Sequence, residues 1–211
     1  MFRKVSLLAA AAALCFFPLF LLGGLGRFDF WWWMSAAVAA VAGLGFALDK
    51  SYAKILADDW KAGRPEKILL GTLTAVLLYA AFAGLNYLSR LIFASAGADI
   101  GRVYAFKEGA SPARVGLLIM FLIGPGEEII WRGFIQRHWQ KRWGFPAGWL
   151  LAAALYAAVH AGSGNAMLVL AAAAAGLFWG FLYHRFGSVL LNAVSHTLWD
   201  LLIFVIFPLT S

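Results

Sequence analysis

Long apolar runs separated by short polar segments organise the whole chain. A spanning helix needs roughly 17 to 25 mostly apolar residues, and most of these runs reach that length. A membrane barrel would instead show alternating segments of about 10 residues. The pattern predicts an all-α, polytopic membrane helix bundle with about seven transmembrane helices, near residues 5–22, 31–48, 67–88, 113–136, 146–160, 166–183 and 188–207.

The polar segments between the runs are too short to form a separate domain. Residues 49–66 make a polar link, and residues 89–112 make the longest segment on the opposite side. We therefore predict a single integral-membrane domain over residues 1–211. Helices from about 113 to 207 carry its chemistry, and helices from about 5 to 100 support them.

The first run resembles a signal peptide, because Arg3 and Lys4 precede it. However, it is longer than the apolar core of a signal peptide, which is about 7 to 15 residues. No small-x-small cleavage site follows Leu22, and we predict an uncleaved first helix. Trp31, Trp32 and Trp33 at the start of the second run are typical of an interfacial aromatic anchor.

Composition and charge agree with a membrane environment. The chain is 63% hydrophobic and 13% charged, whereas soluble domains have about 25% charged residues. The net charge of +7 comes from basic residues in the loops, with no nucleic-acid-binding motif or basic stripe, so nucleic acid is not an expected partner. The single Cys15 excludes an internal disulfide framework and a cysteine-rich metal site.

Most of the 17 Lys and Arg residues lie in loops that are cytoplasmic if the N-terminus is inside. Because cytoplasmic loops attract basic residues, this bias predicts a cytoplasmic N-terminus for an odd number of spans. The expected location is the cytoplasmic (inner) membrane of a bacterium.

Glu127 and Glu128 lie side by side in the fourth run, with Arg132 one helical turn later. A charge at mid-membrane costs roughly 2.5–3.5 kcal/mol on insertion scales, so two adjacent acids indicate a functional site. Glu128 and Arg132 are four residues apart and can pair, while Glu127 is rotated by roughly 100° and can point elsewhere. The alternative is a buried Glu–Arg clamp without catalytic function, which explains Glu128 better than Glu127.

Gly124, Pro125 and Gly126 come directly before the two acids. Proline lacks a backbone donor and glycine loosens a helix, so this segment predicts a break in the fourth span. A helix that restarts after the break would direct its positive end toward Glu127.

A polar pair and a polar triplet lie at helical spacing in later runs. Tyr156 and His160 share a helix face near the end of the fifth run, and Asn192, His196 and Asp200 share a stripe in the last run. His196 can donate to an oxyanion or bind a metal, with Asp200 or Asn192 fixing its tautomer. The alternative is interhelical hydrogen bonding, worth about 1 kcal/mol for each bond.

Remaining polar and small residues have structural interpretations. His138 and His184 lie among basic residues and are expected at the membrane interface. Gly176 and Gly180 form a small-xxx-small pair suited to close helix contact.

Together the three motifs resemble the CPBP family, which comprises CAAX prenyl endopeptidases and bacteriocin-processing enzymes and is also called the Abi family. That family's pattern is Glu-Glu-x-x-x-Arg, then Phe-x-x-x-His, then His-x-x-x-Asn or Asp, in this order on membrane helices. Tyr156 replaces the usual phenylalanine, and Asp200 is an allowed residue that changes the local charge. The matching segments are 127–132, 156–160 and 196–200.

The resemblance implies an intramembrane endopeptidase that cleaves a membrane-associated protein or peptide, at a C-terminal tail, a prenylated CAAX-like end or a leader. It assigns water activation to Glu127 and His160, and the oxyanion to His196 and Asp200. The expected supporting residues are Glu128, Arg132, Asn192 and Tyr156.

Zinc and glutamic chemistry both remain open from the residues. Two histidines with carboxylates can form a catalytic zinc set, here Glu127, His160, His196 and Asp200. No His-Glu-x-x-His helix is present, so we favour a glutamic mechanism without a cofactor. The alternatives in other classes are a non-catalytic scaffold or immunity-type binding protein, because function resides in sites and not in folds, and a proton-coupled transporter.

Overall fold

The computed structural model describes residues 2–209, without the side chain of Phe2, and this part is almost entirely helical. Six of its helices are long and apolar enough to cross a membrane, so the predicted all-α polytopic bundle is confirmed. The long helices are α1 (Phe2–Leu22), α2 (Phe30–Leu48), α4 (Arg64–Ile92), α9 (Phe145–His160), α10 (Ala166–Phe186) and α11 (Val189–Leu201), which a π-helical segment (Leu202–Ile206) extends.

Shorter elements lie at the two ends of the bundle. Strands β1 (Gly24–Leu25) and β2 (Phe28–Asp29) pair antiparallel between α1 and α2, and helix α5 (Ala96–Ala105) lies at the same end, which we call the hairpin end. Helix α3 (Tyr52–Lys61) lies at the opposite end. The Lys4 ammonium donates to the carbonyl of Leu48 at 2.7 Å, which places the start of α1 at the α3 end.

The fourth predicted span is one continuous helix of mixed type over residues 112–143, here called the composite helix. It alternates α and π segments in this order: α6 (Pro112–Leu118), π (Ile119–Ile123), α7 (Gly124–Glu128), π (Ile129–Gln136) and α8 (Arg137–Trp143). A π segment has a wider turn than an α-helix and is frequent at functional sites. Both acids therefore lie on a short α segment between two π segments.

A tyrosine from α3 helps the second π segment to form. The Tyr52 hydroxyl donates to the carbonyl of Ile129 at 2.8 Å, which satisfies a backbone acceptor inside the composite helix. A Cβ at Gly133 would lie 1.8 Å from the same hydroxyl, so only glycine admits it. Tyr52 and Gly133 together therefore account for the widened turn.

The predicted break at Gly124–Gly126 is wrong, because the backbone stays right-handed helical at Ile123 and Gly124. Since the composite helix continues through this segment, it does not restart with an N-terminus before Glu127. The two glycines instead allow close packing of neighbouring helices. A Cβ at Gly124 would lie 2.3 Å from Thr197 Oγ1, and a Cβ at Gly126 would lie 2.2 Å from Val38 Cγ1. The composite helix therefore contacts both α2 and α11 at the level of the acids.

Two apolar clusters hold the helices together. The larger is formed by buried residues of α1, α2, the composite helix and α9, and the smaller by residues of α4, α10 and α11. The predicted role of Gly176 and Gly180 in close helix contact agrees with this packing. Their added Cβ atoms would lie 3.3 Å from Ala153 and 2.5 Å from Trp149, both on α9.

Two residues that are predicted at the membrane interface turn into the protein. Trp31 is buried, and its indole N–H donates to the carbonyl of Phe106 at 2.9 Å, whereas Trp32 is exposed as expected. His138 is also buried, with Nδ1 2.7 Å from the carbonyl of Phe134 and Nε2 3.9 Å from Asp49. His184 is exposed and stacks on an aromatic ring of α9. Hydropathy places a ring near the interface but does not determine which way it turns.

Candidate active site

A cavity of about 90 Å³ lies inside the bundle toward the hairpin end. The four predicted catalytic side chains all line it, although they come from the composite helix, α9 and α11. Aromatic side chains from α1, from the start of α2 and from the residue that follows α5 form its walls. The chemical groups at the cavity are Glu127, His160, His196 and Asp200, with Tyr156 beside them.

Glu127 faces the cavity and has few direct partners. Its Oε1 accepts a hydrogen bond from the indole N–H of Trp131 at 3.0 Å. Its Oε2 lies 3.8 Å from Nε2 of His196, which is too long for a hydrogen bond. The carboxylate is thus held in place while most of its acceptor capacity is left for another group.

Glu128 is fully buried and has the opposite character. Its Oε1 accepts from Arg132 Nη1 and from His196 Nδ1, each at 2.7 Å, and its Oε2 accepts from Asn192 Nδ2 at 3.2 Å. The predicted Glu128–Arg132 pair is therefore present, and it extends to the last helix. Three donors therefore bind both oxygens of the carboxylate, which orients its neighbours.

A ring stack and a hydrogen bond fix the position of His196. Its ring stacks on Trp179 with 3.7 Å between the ring centroids, and its Nδ1 is bound to Glu128. Because a carboxylate accepts, Nδ1 carries the proton, and Nε2 is turned toward Glu127 and Asp200. The Asp200 oxygen lies 3.6 Å from Nε2. The ring can therefore act through Nε2 alone.

The sequence predicts that Asp200 or Asn192 fixes the tautomer of His196. In the structure, Glu128 binds Nδ1 of His196 instead. Asn192 donates to Glu128 and to the carbonyl of Trp179, at 3.2 and 2.7 Å. Asn192 therefore supports Glu128, which in turn binds the ring of His196. Spacing within one helix could not reveal this, because the partner is on another helix.

His160 is the last residue of α9 and reaches the cavity from the hairpin end. Its Nδ1 lies 2.7 Å from the carbonyl of Tyr156, an acceptor only, so Nδ1 is the protonated nitrogen. In the neutral ring, Nε2 is then free to accept a proton. Phe20 of α1 packs on the ring with a centroid distance of 4.2 Å. Gly162 allows this approach, since a Cβ there would lie 2.4 Å from the carbonyl of Phe17.

Arg132 contacts two other residues that the sequence predicts as supporting, Tyr156 and Glu128. Its guanidinium lies 4.9 Å from the Tyr156 ring centroid and 5.4 Å from that of Trp179, and it donates to Glu128. Such cation–π contacts are worth about 2 kcal/mol when desolvated. Tyr156 thus acts as an aromatic surface for Arg132, which a phenylalanine can also provide.

Three carboxylates face one permanent cation at this site. Glu127, Glu128 and Asp200 are buried, and Arg132 is the guanidinium among them. A buried net charge is costly, so a cluster with three carboxylates and one cation favours binding further protons. An arrangement that carries mobile protons can perform general acid–base catalysis.

The predicted zinc ligands Glu127, His160, His196 and Asp200 all line the cavity. Among residues 2–209, no three His, Cys, Asp or Glu side chains are placed to hold one ion together. Nδ1 of each histidine is bound, to Glu128 and to the Tyr156 carbonyl, so Nε2 is the ring nitrogen that could hold a metal ion.

Sequence reasoning missed three residues that shape the site. Trp131 bonds to Glu127, Trp179 stacks on His196, and Phe20 packs on His160. Trp131 carried a usable signal, because it lies four residues after Glu127 on the same helix face. Phe20 and Trp179 carried none, since each meets its histidine through tertiary packing.

The comparison with protein families identifies the part of the chain that holds this site. Residues 109–202 match the family described as "Rce1-like: Type II CAAX prenyl endopeptidase Rce1-like", so the predicted resemblance is confirmed. This segment contains every predicted catalytic residue and supports an intramembrane peptidase of the CAAX type in general. No curated protein and no solved structure matched the chain.

Proposed function

We propose that this chain, with its Rce1-like segment, is a multi-pass membrane endopeptidase that hydrolyses a peptide bond with water and without a metal. The observation that carries the proposal is the cavity in which Glu127, His160, His196 and Asp200 meet. A clamp built only for stability would satisfy its acids, as Glu128 is satisfied. Glu127 instead faces an interior space with acceptor capacity to spare.

The reaction begins with a water molecule between Glu127 and His160. The carboxylate or Nε2 of His160 takes one proton as the water oxygen attacks the substrate carbonyl carbon. Trp131 holds Glu127 in position, and the Tyr156 carbonyl holds His160. Either group then returns the proton to the leaving amine as the C–N bond breaks.

His196 stabilises the oxyanion that forms on the carbonyl oxygen. Its Nε2–H donates when the ring is protonated, and Glu128 on Nδ1 favours that charged form. Asp200, 3.6 Å from Nε2, supports the same charge. In this assignment Glu128 acts through His196, which makes it a positioning residue.

A second cavity indicates the kind of substrate. An apolar groove of about 350 Å³ lies between α4, α5, α10 and the end of α11. It shares lining residues with the catalytic cavity, including Trp199 and Phe204. A groove of this kind suits an apolar segment of a membrane-associated protein or peptide. We propose that such a substrate enters from the bilayer.

The experiment is a cleavage assay on purified protein in nanodiscs, with a library of apolar peptides whose fragments are identified by mass spectrometry. The wild-type protein is expected to release fragments at one bond, and Glu127→Gln is expected to release none. Thermal unfolding of both proteins checks that the variant folds. Equal cleavage by the two would exclude the mechanism. Peptide binding without any cleavage would favour a non-catalytic scaffold instead.

Metal dependence is tested on the same sample. Prolonged chelation, followed by metal analysis and assay, is expected to leave the rate unchanged. A rate that falls and returns on adding zinc would overturn the metal-free proposal.

We further propose that the protein lies in a bacterial inner membrane with its N-terminus in the cytoplasm. A cysteine-accessibility map of the loops would test this orientation.

A further inference from the structure

The chain turns back along α4 after the last helix. Phe207 ends the π-helical extension of α11 with a non-helical backbone. Residues 207–209, here called the strap, then bind to side chains of α4. The Phe207 carbonyl accepts from the Tyr79 hydroxyl at 3.0 Å, and the Leu209 carbonyl accepts from Asn86 Nδ2 at 3.3 Å. Tyr79 and Asn86 share one face of α4, so the strap follows that face over about two turns.

A tyrosine of α5 completes the contacts of Leu209. The Tyr104 hydroxyl accepts from the backbone N–H of Leu209 at 2.8 Å and donates to the carbonyl of Ile203 at 3.0 Å. Both main-chain polar groups of Leu209 are therefore bound by side chains, the carbonyl by Asn86 and the N–H by Tyr104. Two side chains thus hold one residue of a non-helical segment by its backbone.

These contacts lie at the apolar groove. Asn86, Tyr104 and Leu209 all line it, and most of the other lining side chains are hydrophobic. A non-helical segment is stable in such surroundings only if its N–H and carbonyl groups find partners. The Asn86 amide and the Tyr104 hydroxyl are such partners, and they bind a backbone whatever side chain it carries. The groove thus contains a subsite for one residue of an extended segment.

The strap has few other contacts that hold it in the groove. Phe207 is 58% exposed, and Leu209 is half-buried. Segments with few buried apolar contacts open locally at a low cost in free energy. An incoming extended chain can replace the hydrogen bonds of Leu209 one for one. The strap is therefore better suited to exchange than to permanent support.

We propose that Asn86 and Tyr104 form a backbone-binding subsite for an apolar segment of the substrate, and that the strap occupies this subsite until such a segment displaces it. The inference rests on the proposed function, in which the substrate enters from the bilayer through the groove, and adds a lid to it. Leu209 stands in the place of one apolar residue of the substrate. Because Trp199 and Phe204 line both the groove and the catalytic cavity, a segment in the subsite lies next to that cavity.

The first test locks the strap in place. Tyr79→Cys and Phe207→Cys, both outside the groove lining, are joined in nanodiscs by a short bifunctional methanethiosulfonate that a reductant cleaves. The background is Cys15→Ser and Glu127→Gln, which removes the other thiol and prevents cleavage. Fluorescence anisotropy measures binding of the labelled peptide library. The locked protein is expected to bind at least about tenfold more weakly than the same protein after reduction, because a closed strap keeps the subsite filled. Tyr79→Cys alone, treated with the same reagent, is the matched control.

The second test releases the strap. Tyr79→Phe removes the hydroxyl that binds the Phe207 carbonyl and leaves both groups of the subsite unchanged. The peptides are expected to bind about two- to tenfold more tightly to this variant, the range for one neutral hydrogen bond that no longer opposes opening. Tyr87→Phe, at an exposed tyrosine of the same helix, is the matched control. Thermal unfolding checks that the variants fold.

Three results would overturn the inference. Equal binding by the locked and the reduced protein would show that the strap does not compete with the peptide. Unchanged or weaker binding by Tyr79→Phe would show that the strap only braces the groove. A released protein that binds no peptide of the library would show that the subsite does not recognise an extended chain.

The two proposals fail in different ways. The binding measurements use Glu127→Gln protein and need no cleavage. If locking weakens binding but no peptide is ever hydrolysed by protein that retains Glu127, the proposed function fails and the strap stands. If locked protein that retains Glu127 cleaves peptides as fast as the reduced form, the strap fails and the proposed function stands.

Discussion

Two acidic sites at opposite ends of the bundle, one half-buried and one buried, use their carboxylates differently. At the α3 end, Asp59 accepts from Lys67 at 2.7 Å and from the backbone N–H of Leu190 at 2.8 Å, so both of its oxygens are bound. At the catalytic cavity, Glu128 is bound as completely, while Glu127 accepts one indole N–H. Full pairing is typical of a structural clamp, and incomplete pairing beside a cavity is typical of chemistry.

The largest expected effect comes from replacing Glu128, because this acid is paired as in a structural clamp and also binds His196 at the catalytic cavity. Glu128→Gln removes the charge that Arg132 and His196 share, and it leaves Arg132 as a buried, unpaired cation. Breaking a buried pair in this way costs about 3–5 kcal/mol of stability. We expect a lower unfolding midpoint and no measurable cleavage, from circular dichroism and the peptide assay. A variant as stable as the wild type would show that Glu128 does not organise the site.

Trp131→Phe is expected to act on the reaction with little effect on binding. It removes the hydrogen bond to Glu127 and keeps the ring contact with Tyr156, which has a centroid distance of 5.2 Å. A bond to a charged group is worth about 1.5–3 kcal/mol, so kcat should fall roughly 10- to 100-fold while KM stays within twofold. Trp139→Phe, at the α3 end, is the matched control. An unchanged kcat would remove Trp131 from the positioning of Glu127.

The smallest expected effect on catalysis comes from the clamp at the α3 end. Asp59→Asn weakens the ion pair with Lys67, which we expect to cost about 1 kcal/mol of stability. The rate for each folded molecule should stay within twofold of the wild type, because the site lies toward the other end. Urea unfolding and the peptide assay measure the two quantities. A loss of rate larger than the loss of folded protein would contradict the separation of the two ends.

Hydropathy predicted the helix class and most spans to within about four residues, because the bilayer imposes one length and one polarity on every crossing. The exception is the fourth span, predicted to end at 136, since the composite helix continues to Trp143. It predicted the four cavity residues in combination with the resemblance, since their motifs lie within single helices. It was wrong at Gly124–Gly126, because a Gly-Pro-Gly segment can serve close packing and a continuous helix as well as a break. The second π segment of the composite helix accepts a hydrogen bond from the hydroxyl of Tyr52 on α3, which no local pattern of the composite helix contains.

The partner of His196 shows a second limit of the sequence. Residues on one helix stripe suggested Asp200 or Asn192, whereas the bond comes from Glu128, 68 positions earlier. The i, i+4 rule identifies neighbours on the same helix only. A contact between helices depends on how each helix is rotated about its axis and shifted along it. Glycines such as Gly124 and Gly126 influence both, because they determine how closely two helices can approach. These quantities are properties of the packed bundle.

The central claim is that Glu127 activates water in a cavity shared with His160, His196 and Asp200. Its most direct test is single-turnover cleavage in water enriched with oxygen-18, followed by mass spectrometry of the fragments. The wild-type protein should place one heavy oxygen in the new carboxyl group of the upstream fragment, and folded Glu127→Gln should form no such fragment. Labelled product formed at the wild-type rate by Glu127→Gln would contradict the claim.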